Sequence, residues 1–377
     1  MPRILISYVT AGAGHQRAAE ALAEAVGRTC PDADVACEDL LGHTPSWFTR
    51  TYPGIYEWAV RYAPWLWGAS YRLFDHPFIY RLVQPWRRRW NRWIGKTALR
   101  AVRQHPPQVI LTTHFFAADL YAQAKREGWL TARLIVVVTD LFPHRFWLAP
   151  EADQFVVGSE RSAVLCRQRG IEASRVHPLG IPIRAMFRRV EGPAREALQR
   201  RLDLEPGRRT VLIVSGGMGV GPIGRLAKHV ATLEDEQPGR MQMLVVCGHN
   251  WALERQLAAF AGQTKMPMRV YGFTEAMHEL MAVSDVVVSK PGGLTLAETL
   301  AMGLPLVILG AIPGQEELNA QELVRHGSSV QARTVDEAVA WVRRLCDGDE
   351  RVATMRECAL AWGKPDAAEQ IAKLVGA

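Results

Sequence analysis

Residues 286–298 read VVVSKPGGLTLAE, an apolar run that ends at a serine and is followed by a proline–glycine turn and a helical segment. An apolar run without alternation is typical of a strand buried on both faces of a parallel sheet. Parallel strands need long crossover connections, and a helix that starts directly after the strand supplies one. Since the same order of strand, turn and helix recurs in both halves of the chain, we predict an α/β fold with parallel sheets.

Ten segments have this strand character, five on each side of a proline-containing break at residues 181–184. They are residues 4–8, 108–113, 133–139, 155–158 and 176–180 in the first half, and residues 210–215, 243–247, 269–271, 286–289 and 306–309 in the second. We predict an N-terminal domain at 1–183, a second domain at 184–354, and at 355–377 a C-terminal helix that packs back on the first domain. Ligands of such sheets bind beyond the carboxyl ends of the strands, so the loops after strands are the candidate sites.

The composition of the 377 residues, with 48% hydrophobic and 22% charged residues, is that of an ordinary globular protein. It excludes the disordered, collagen-like and small disulfide-rich classes. The six cysteines form no CxxC pair, which favours a reduced cytoplasm over secretion. No apolar stretch approaches the roughly 18 residues of a membrane span. We therefore expect a folded cytoplasmic protein.

The positive charge is concentrated in the first half of the chain. The net charge is +7, and residues 1–185 carry 23 Lys and Arg against 15 Asp and Glu. Residues 81–103 contain eight basic residues and no acidic one, and seven of the twelve tryptophans lie within residues 45–105. Tryptophan prefers the headgroup region of a bilayer and arginine its anionic surface.

This combination predicts a peripheral membrane-docking surface, which we assign to Trp86, Arg87, Arg88, Arg89, Trp90, Arg92 and Trp93. The alternative interpretation is a solvated basic helix over a tryptophan-filled core. Nucleic acid is the less favoured anionic partner, because the chain carries no nucleic-acid recognition motif.

The first candidate loop, residues 11–15, reads AGAGH and follows the first strand. Glycines let backbone amides approach a ligand, and a helix N-terminus favours negative charge. His15 is a candidate general base, because histidine accepts a proton near neutral pH. The alternative is a tight turn with an incidental surface histidine.

Residues 215–224 read SGGMGVGPIG, which contains a formal GxGxxG from Gly219 to Gly224. No acidic residue ends the next strand, so dinucleotide binding is disfavoured. No Lys-Ser or Lys-Thr follows, so the loop is not a P-loop. A phosphate-binding loop of another type remains.

Two further loops carry polar side chains after neighbouring strands. In residues 289–298, Glu298 lies in the first turns of a helix, where a carboxylate could accept two ribose hydroxyls. Residues 312–319, IPGQEELN, are rich in side chains that bind hydroxyl groups. Each loop alone is also compatible with a helix-capping turn, but together they favour a nucleotide-sugar site.

The sequence contains few motifs that could bind a metal ion. The DxD sequences at residues 32–34 and 347–349 lie in connections away from the predicted strand ends, so we interpret them as solvated turns. HExxH and GxSxG are both absent. We therefore predict a reaction that uses neither a metal ion nor a serine nucleophile.

Five motifs together carry a family resemblance. They are GAGHQRAA at 12–19, VTDL at 138–141, GFT at 272–274, KPGGLTLAE at 290–298 and PGQEELNA at 313–320. In these motifs the chain resembles the monogalactosyldiacylglycerol synthases and the bacterial processive diacylglycerol glucosyltransferases. Both are relatives of the lipid-linked N-acetylglucosaminyl transferase of peptidoglycan synthesis.

The resemblance implies a GT-B fold, in which two Rossmann-like domains have parallel sheets facing across a cleft. It implies inverting transfer of glucose or galactose from a UDP-hexose to a diacylglycerol-type lipid, with no metal or other cofactor. The N-terminal domain would bind the lipid acceptor and the C-terminal domain the UDP-sugar. The enzyme would then be cytoplasmic and peripheral on the inner, anionic face of the cell membrane, with no nucleic acid as partner. A transferase acting on another lipid, such as a polyprenyl-diphosphate-linked acceptor, and a UDP-sugar epimerase remain alternatives.

The resemblance also implies roles for individual residues. His15 would deprotonate the acceptor, Phe273 would recognise uracil through its backbone, and Glu298 would bind the ribose. Gln315 and Glu316 would bind the sugar hydroxyls, and Trp147 would lie at the acceptor. The phosphates would be surrounded by Gly216, Gly217, Met218, Gly292, Gly293 and Thr295. Further donor contacts would come from Gly14, Gly248, Thr274, Ser289, Lys290, Pro291 and Asn319.

Overall fold

The computed structural model describes residues 1–10, 12–214, 216–217, 219 and 221–376. The chain divides into two compact units. Unit 1 contains Met1–Ala185, Pro313–Leu318 and Asp366–Ala377, and unit 2 contains Met186–Ile312 and Asn319–Pro365.

Unit 1 is built on a six-stranded sheet in which every neighbouring pair of strands is parallel. The strands are β1 (Arg3–Tyr8), β2 (Asp34–Asp39), β3 (Val109–Thr112), β4 (Arg133–Val137), β5 (Gln154–Val156) and β6 (Val176–His177), in the order β2-β1-β3-β4-β5-β6. In register, Ile6 faces Cys37 on one side and Leu111 on the other. The chain changes direction across the sheet between β1 and β3, so the loops after these two strands flank the switch point at which α/β sheets bind ligands.

Within the described residues, seven helices of unit 1 precede the second unit. They are α1 (Ala13–Thr29), α2 (Ser46–Tyr62), α3 (Pro64–Asp75), α4 (Pro77–Ile94), α5 (Lys96–Gln104), α6 (Phe115–Arg126) and α7 (Glu160–Gln168). Short 3₁₀ turns lie at Leu40–His43, Arg145–Trp147 and Ala173–Arg175.

Unit 2 repeats the plan with six parallel strands and its own helices. The elements are α8 (Gly192–Arg201), β7 (Arg209–Val214), α9 (Ile223–Ala231), α10 (Leu233–Glu236), β8 (Met241–Val246), α11 (Trp251–Ala261), β9 (Met268–Tyr271), α12 (Met277–Ala282), β10 (Val286–Ser289), α13 (Gly293–Ala301), β11 (Leu306–Leu309), α14 (Gln315–Arg325), β12 (Ser329–Ala332), α15 (Val335–Cys346) and α16 (Arg351–Trp362). The first residues of α14, up to Leu318, belong to unit 1. The strand order is β12-β11-β10-β7-β8-β9, which places the switch point between β7 and β10.

The last helix, α17 (Ala367–Gly376), belongs to unit 1 and packs against α1. Ile371, Ala372 and Val375 of α17 share a buried cluster with Leu22 and Val26 of α1. Burying these side chains is favourable because it removes apolar surface from water. The apolar spacing in α17 therefore attaches the end of the chain to its beginning.

The predicted α/β class with parallel sheets is confirmed. The sequence prediction of five strands in each half is wrong, because each sheet has a sixth strand, β2 and β12 respectively. Both lie at a sheet edge; β2 has no fully buried residue, and in β12 only Ser329 and Ala332 are buried. Asp34, which we interpreted as part of a solvated turn, is the first residue of β2.

A segment after β11 also packs within unit 1. Gly68 of α3 lies so near Pro313 that a Cβ atom at Gly68 would come within 2.5 Å of the proline Cβ. Arg72, one turn further along α3, forms an ion pair with Glu317 at 2.5 Å. Only glycine fits at position 68 without displacing residues 313–318. In the part of the chain that the structure describes, no helix is both long enough and apolar enough to cross a membrane.

Candidate active site

His15 lies near the start of α1, directly after the turn that follows β1. The turn places Gly12 at φ +97°, in the left-handed region that favours glycine. The ring Nδ1 of His15 lies 2.7 Å from the carbonyl oxygen of Thr113 and 3.0 Å from Oγ1 of Thr139. Thr113 and Thr139 lie just beyond the carboxyl ends of β3 and β4, so the sheet itself fixes the position of the ring.

These contacts determine the tautomer of His15. A carbonyl oxygen only accepts hydrogen bonds, so Nδ1 must carry the proton and the lone pair remains on Nε2. The hydroxyl of Thr113 in turn donates to the carbonyl oxygen of His15, at 2.9 Å. Burial lowers the pKa of His15 to about 4, although the hydrogen bond to Thr113 opposes the shift. The ring is therefore neutral at pH 7 and able to accept a proton at Nε2.

Two further histidines surround the same space, and sequence reasoning did not identify either as part of the site. The ring of His114 is 4.7 Å from that of His15, and burial holds the pKa of His114 well below its usual range. Nδ1 of His114 accepts the amide of Phe116, and Nδ1 of His144 accepts the amide of Phe146. Of the three, His15 is the one whose basic lone pair is not used by a backbone amide. The sequence signal for His114 was its position two residues after the buried strand β3.

Unit 1 has a cavity of about 250 Å³ that is lined by these three histidines and by eight other aromatic side chains. The eight are Tyr52, Tyr56, Trp67, Tyr71, Phe74, Phe115, Phe146 and Trp147. The structure thus brings Trp147, predicted at the acceptor, to the same cavity as His15, with ring centres 6.1 Å apart. A cavity lined mainly by aromatic rings, with a few polar groups, suits an apolar ligand.

A few polar groups also lie at this cavity. The indole N–H of Trp67 is buried and has no hydrogen-bond partner among the described residues. Gln315 Nε2 donates to Asp140 Oδ1 at 2.6 Å, and both side chains line the cavity. Glu316 is buried, and with Asp140 it contributes to raising the pKa of Tyr56, after the larger effect of burial. Gln315 and Glu316, predicted to bind sugar hydroxyls, therefore lie in unit 1.

In unit 2 the predicted donor loops meet at the carboxyl ends of β7, β8 and β10. A Cβ atom at Gly248 would lie 2.5 Å from the carbonyl oxygens of both Gly216 and Gly217. A Cβ atom at Gly216 would lie 2.9 Å from Cε of Lys290. Gly248 is required because its loop touches the backbone of residues 216–217, and Gly216 is favoured because its φ of +70° lies in the left-handed region. Met218, which we assigned to the phosphates, lies outside the described residues.

The turn after β10 leads directly into α13. Ser289 is buried, and its hydroxyl has no partner among the residues described. Gly292 precedes the first residue of α13, Gly293, whose amide is among those at the helix N-terminus that favour an anion. Thr295 and the partly exposed Glu298 follow on the same helix. Asn319 is fully buried and donates to the carbonyl oxygen of Pro291 at 3.1 Å, so it supports this turn.

An exposed pair of aromatic side chains lies beyond the carboxyl ends of β8 and β9 in the same sheet. Phe273, after β9, stacks on His249, after β8, with ring centres 4.5 Å apart and an interplanar angle of 12°. The hydroxyl of Thr274 accepts the amide of Ala276 and shapes the loop. Sequence reasoning identified Phe273 and Thr274 but missed His249. Among the side chains that the structure describes, no group of three or more His, Cys, Asp or Glu is placed to hold a metal ion.

The predicted docking surface on α4 has to be corrected at Arg87. Its guanidinium donates to the buried carboxylate of Asp119 at 2.8 Å and lies over the ring of Phe146. Arg88 also turns towards Asp119, at 3.9 Å. A buried carboxylate needs a cationic partner, so Arg87 does not belong to the exposed basic face. Asp119 lies on α6, far from α4 in sequence, which is why the sequence pattern did not show this pairing.

Of the other residues of that prediction, Arg88 is half-buried and five are exposed, namely Trp86, Arg89, Trp90, Arg92 and Trp93. Arg92 pairs with Glu127. Trp47, Trp90 and Trp93 form an exposed group, here called the tryptophan cluster, with ring centres 5.4–6.2 Å apart. Contiguous exposed aromatic surface of this kind marks an interaction site.

The comparisons with known sequences match the two halves of the chain to two different families. Residues 15–183 match the family described as monogalactosyldiacylglycerol (MGDG) synthase, and residues 210–371 match the glycosyltransferase family 28 C-terminal domain. The processive diacylglycerol beta-glucosyltransferase of Bacillus cereus (strain B4264) is 27% identical over 374 residues, which cover 98% of this chain and 92% of the relative.

Two solved structures illustrate the likeness in fold. MurG from Acinetobacter baumannii superposes with a TM-score of 0.64 at 13% identity, covering 100% of this chain and 99% of that one. A putative UDP-N-acetylglucosamine 2-epimerase from Listeria monocytogenes has a TM-score of 0.62 at 13% identity, covering 99% and 95%. The expected GT-B fold and family resemblance are confirmed. The chain is thus a glycosyltransferase of the GT-B fold whose residues 15–183 match the MGDG synthase family and whose residues 210–371 match the C-terminal domain of glycosyltransferase family 28.

Proposed function

We propose that this glycosyltransferase moves a hexose, glucose or galactose, from a UDP-hexose to the free hydroxyl of a diacylglycerol-type lipid. The observation that carries the proposal is His15, a neutral histidine with its proton fixed on Nδ1, in the wall of an aromatic cavity. The B. cereus relative, named as a diacylglycerol glucosyltransferase, supports this acceptor class.

In the proposed reaction, Nε2 of His15 takes the proton of the acceptor hydroxyl as its oxygen attacks C1 of the hexose. The bond from C1 to the UDP oxygen breaks on the opposite face, so the configuration at C1 inverts. UDP leaves with the electron pair, and the proton ends on His15. General-base catalysis of this kind typically contributes about 10²–10⁴ in rate.

Unit 2 supplies the groups for the leaving UDP in this proposal. Backbone amides at the start of α13 and in the glycine loops would stabilise the developing negative charge on the diphosphate. We expect Glu298 to accept the ribose hydroxyls and the Phe273 loop to bind uracil. With these groups on the phosphates, we expect transfer to need no metal ion.

The aromatic cavity of unit 1 would hold the glycerol end of the lipid. The unpartnered indole N–H of Trp67 is placed to donate to an ester carbonyl oxygen of the acceptor. The acyl chains of the lipid would stay in the bilayer. The exposed tryptophan cluster and the arginines of α4 favour the headgroup region and would hold the enzyme at this surface. We place the enzyme peripherally on the inner face of the cell membrane, where a soluble UDP-hexose is available.

The experiment that tests the proposal is incubation with a panel of UDP-sugars and total bacterial lipid, followed by mass spectrometry. Release of UDP together with a hexosyl-diacylglycerol is the expected result. A product on a polyprenyl-diphosphate-linked lipid would replace the acceptor class. Isomerisation of the UDP-sugar without any acceptor would contradict glycosyl transfer as the reaction on these substrates.

Replacing His15 with alanine should lower kcat by about 10²–10⁴, because the general base is lost. UDP affinity should change by no more than a few-fold, since the proposed uridine contacts belong to unit 2. Turnover and UDP binding are measured on the same preparation. His105→Ala, at an exposed histidine of unit 1, is the matched control and should leave both unchanged. Near wild-type turnover in the His15 variant would place the base elsewhere.

The pH profile should reflect the lowered pKa of His15. The base is active when neutral, so kcat/KM should stay flat with respect to this group from pH 8 down to about pH 5. It should then fall as the pH approaches the pKa of about 4. Initial rates between pH 3.5 and 8, with circular dichroism to verify folding, provide the measurement. A decline that begins near 6.5, the ordinary pKa of histidine, would show that the ring is solvated.

Trp67→Phe should raise KM for a short-chain, detergent-dispersed diacylglycerol by roughly two- to tenfold, the effect of losing one hydrogen bond. The ring still fills the cavity, so kcat should change less. Trp65→Phe, on the same helix but exposed, is the control. Equal KM values for both variants would remove Trp67 from the acceptor site.

Replacing Arg81, Arg89 and Arg92 with glutamine should weaken binding to anionic phosphatidylglycerol vesicles more than tenfold, because each basic residue near such a surface contributes about 1 kcal/mol. Arg87 is left intact because it pairs with Asp119. Vesicle co-sedimentation is compared with a variant in which Arg167, Arg200 and Arg201, exposed on other helices, are replaced by glutamine. Equal loss in both variants would indicate that only net charge matters.

A further inference from the structure

Unit 2 has a second cavity, of about 210 Å³, at the amino ends of β7 and β10. The donor loops lie at the opposite ends of these strands, and four residues of β10 span about 13 Å. We call this cavity the arginine pocket. Its charged lining residues are Arg189, Glu191, Arg195, Arg209, Asp285 and Arg356.

Three of the arginines share one carboxylate. Asp285 is buried and accepts from Arg195 at 3.1 Å, from Arg209 at 3.2 Å and from Arg356 at 3.4 Å. It also accepts the backbone amide of Thr210 at 2.9 Å. Arg189 pairs with Glu191 at 2.9 Å. Four guanidinium groups thus face two carboxylates, and the lining of the pocket has an excess of two positive charges.

The excess of positive charge affects Arg356. Its Nε is buried and has no hydrogen-bond partner in the described part of the chain. Burial lowers the pKa of Arg356, Asp285 opposes the shift, and Arg189, Arg209 and Arg195 lower the pKa further. One guanidinium would be enough to pair with Asp285. The additional arginines repel one another, and Asp285 is the one buried carboxylate among the described lining residues that balances them.

We propose that the arginine pocket is a binding site for a phosphate dianion, either a soluble phosphate or the phosphomonoester headgroup of a lipid. Guanidinium groups bind phosphate oxygens in pairs, with a geometry that matches their fork of N–H donors. Two negative charges would balance the excess. The volume is several times the roughly 30 Å³ of a water molecule, which leaves room for the phosphate and the first atoms attached to it. The side chains of Arg189 and Arg209 are 40% and 54% exposed, so the pocket is open to solvent.

The proposal can be tested on the full-length protein with two probes. The soluble probe is inorganic phosphate, titrated by calorimetry against chloride at equal ionic strength. The lipid probe is a phosphatidylcholine vesicle with and without phosphatidate. The double variant Arg195→Gln, Arg209→Gln removes two guanidinium groups from the pocket. The control is Arg200→Gln, Arg201→Gln, which removes two charges from the same helix region outside the pocket.

The pocket variant should weaken binding of one of the two probes at least tenfold, while the control stays within about twofold of the wild type. Loss confined to inorganic phosphate identifies a soluble ligand, and loss confined to phosphatidate vesicles identifies a headgroup. Arg189→Gln leaves the hydrogen bonds of Asp285 intact and should weaken the same probe several-fold even if the double variant folds poorly. Unchanged binding of both probes in the two pocket variants would overturn the proposal, because the phosphate would then bind elsewhere, for example at the donor loops.

Discussion

The hydrogen bond from Nδ1 of His15 to the carbonyl oxygen of Thr113 is the interaction on which the proposed chemistry depends. It joins the first residues of α1 to the end of β3, and it exists because β1 and β3 are neighbours in the sheet. The acceptor is a main-chain atom, so its position follows from the pairing of strands and not from any one side chain. The bond also places the proton on one nitrogen and leaves the other basic.

The two units divide their chemistry by the kind of surface they present. Unit 1 surrounds its cavity with aromatic rings, which bind apolar groups through contact area. Unit 2 forms its loops from glycine, so that backbone amides take the place of side chains. The apolar lipid acceptor and the charged nucleotide-sugar donor that we propose would need these opposite surfaces. A duplicated αβ plan meets both needs because the sheet is constant and only the loops after the strands differ.

The sequence predicted what depends on local pattern. Buried strands read as continuous apolar runs, so the eight interior strands and the edge strands β6 and β9 were found. The edge strands β2 and β12 were missed because polar residues interrupt their short apolar sequences. Long-range pairings were also missed. The sequence predicted that Arg87 lies on an exposed basic face, whereas in the structure it pairs with Asp119 of α6. His114 and His249 gave no motif of their own, and they joined the site only through the order of the strands.

The attachment of α17 to α1 has a consequence for how the protein is made. A chain leaves the ribosome from its N-terminus, and domains tend to fold as they emerge. Here the face of α1 that contains Leu22 and Val26 is covered by residues 371–375, which are synthesised after the whole of unit 2. The unit that begins first is therefore completed last. Until residues 371–375 have emerged, an apolar strip of α1 remains open to water and to chaperones, and a shortened chain that stops before residue 366 would keep it open permanently.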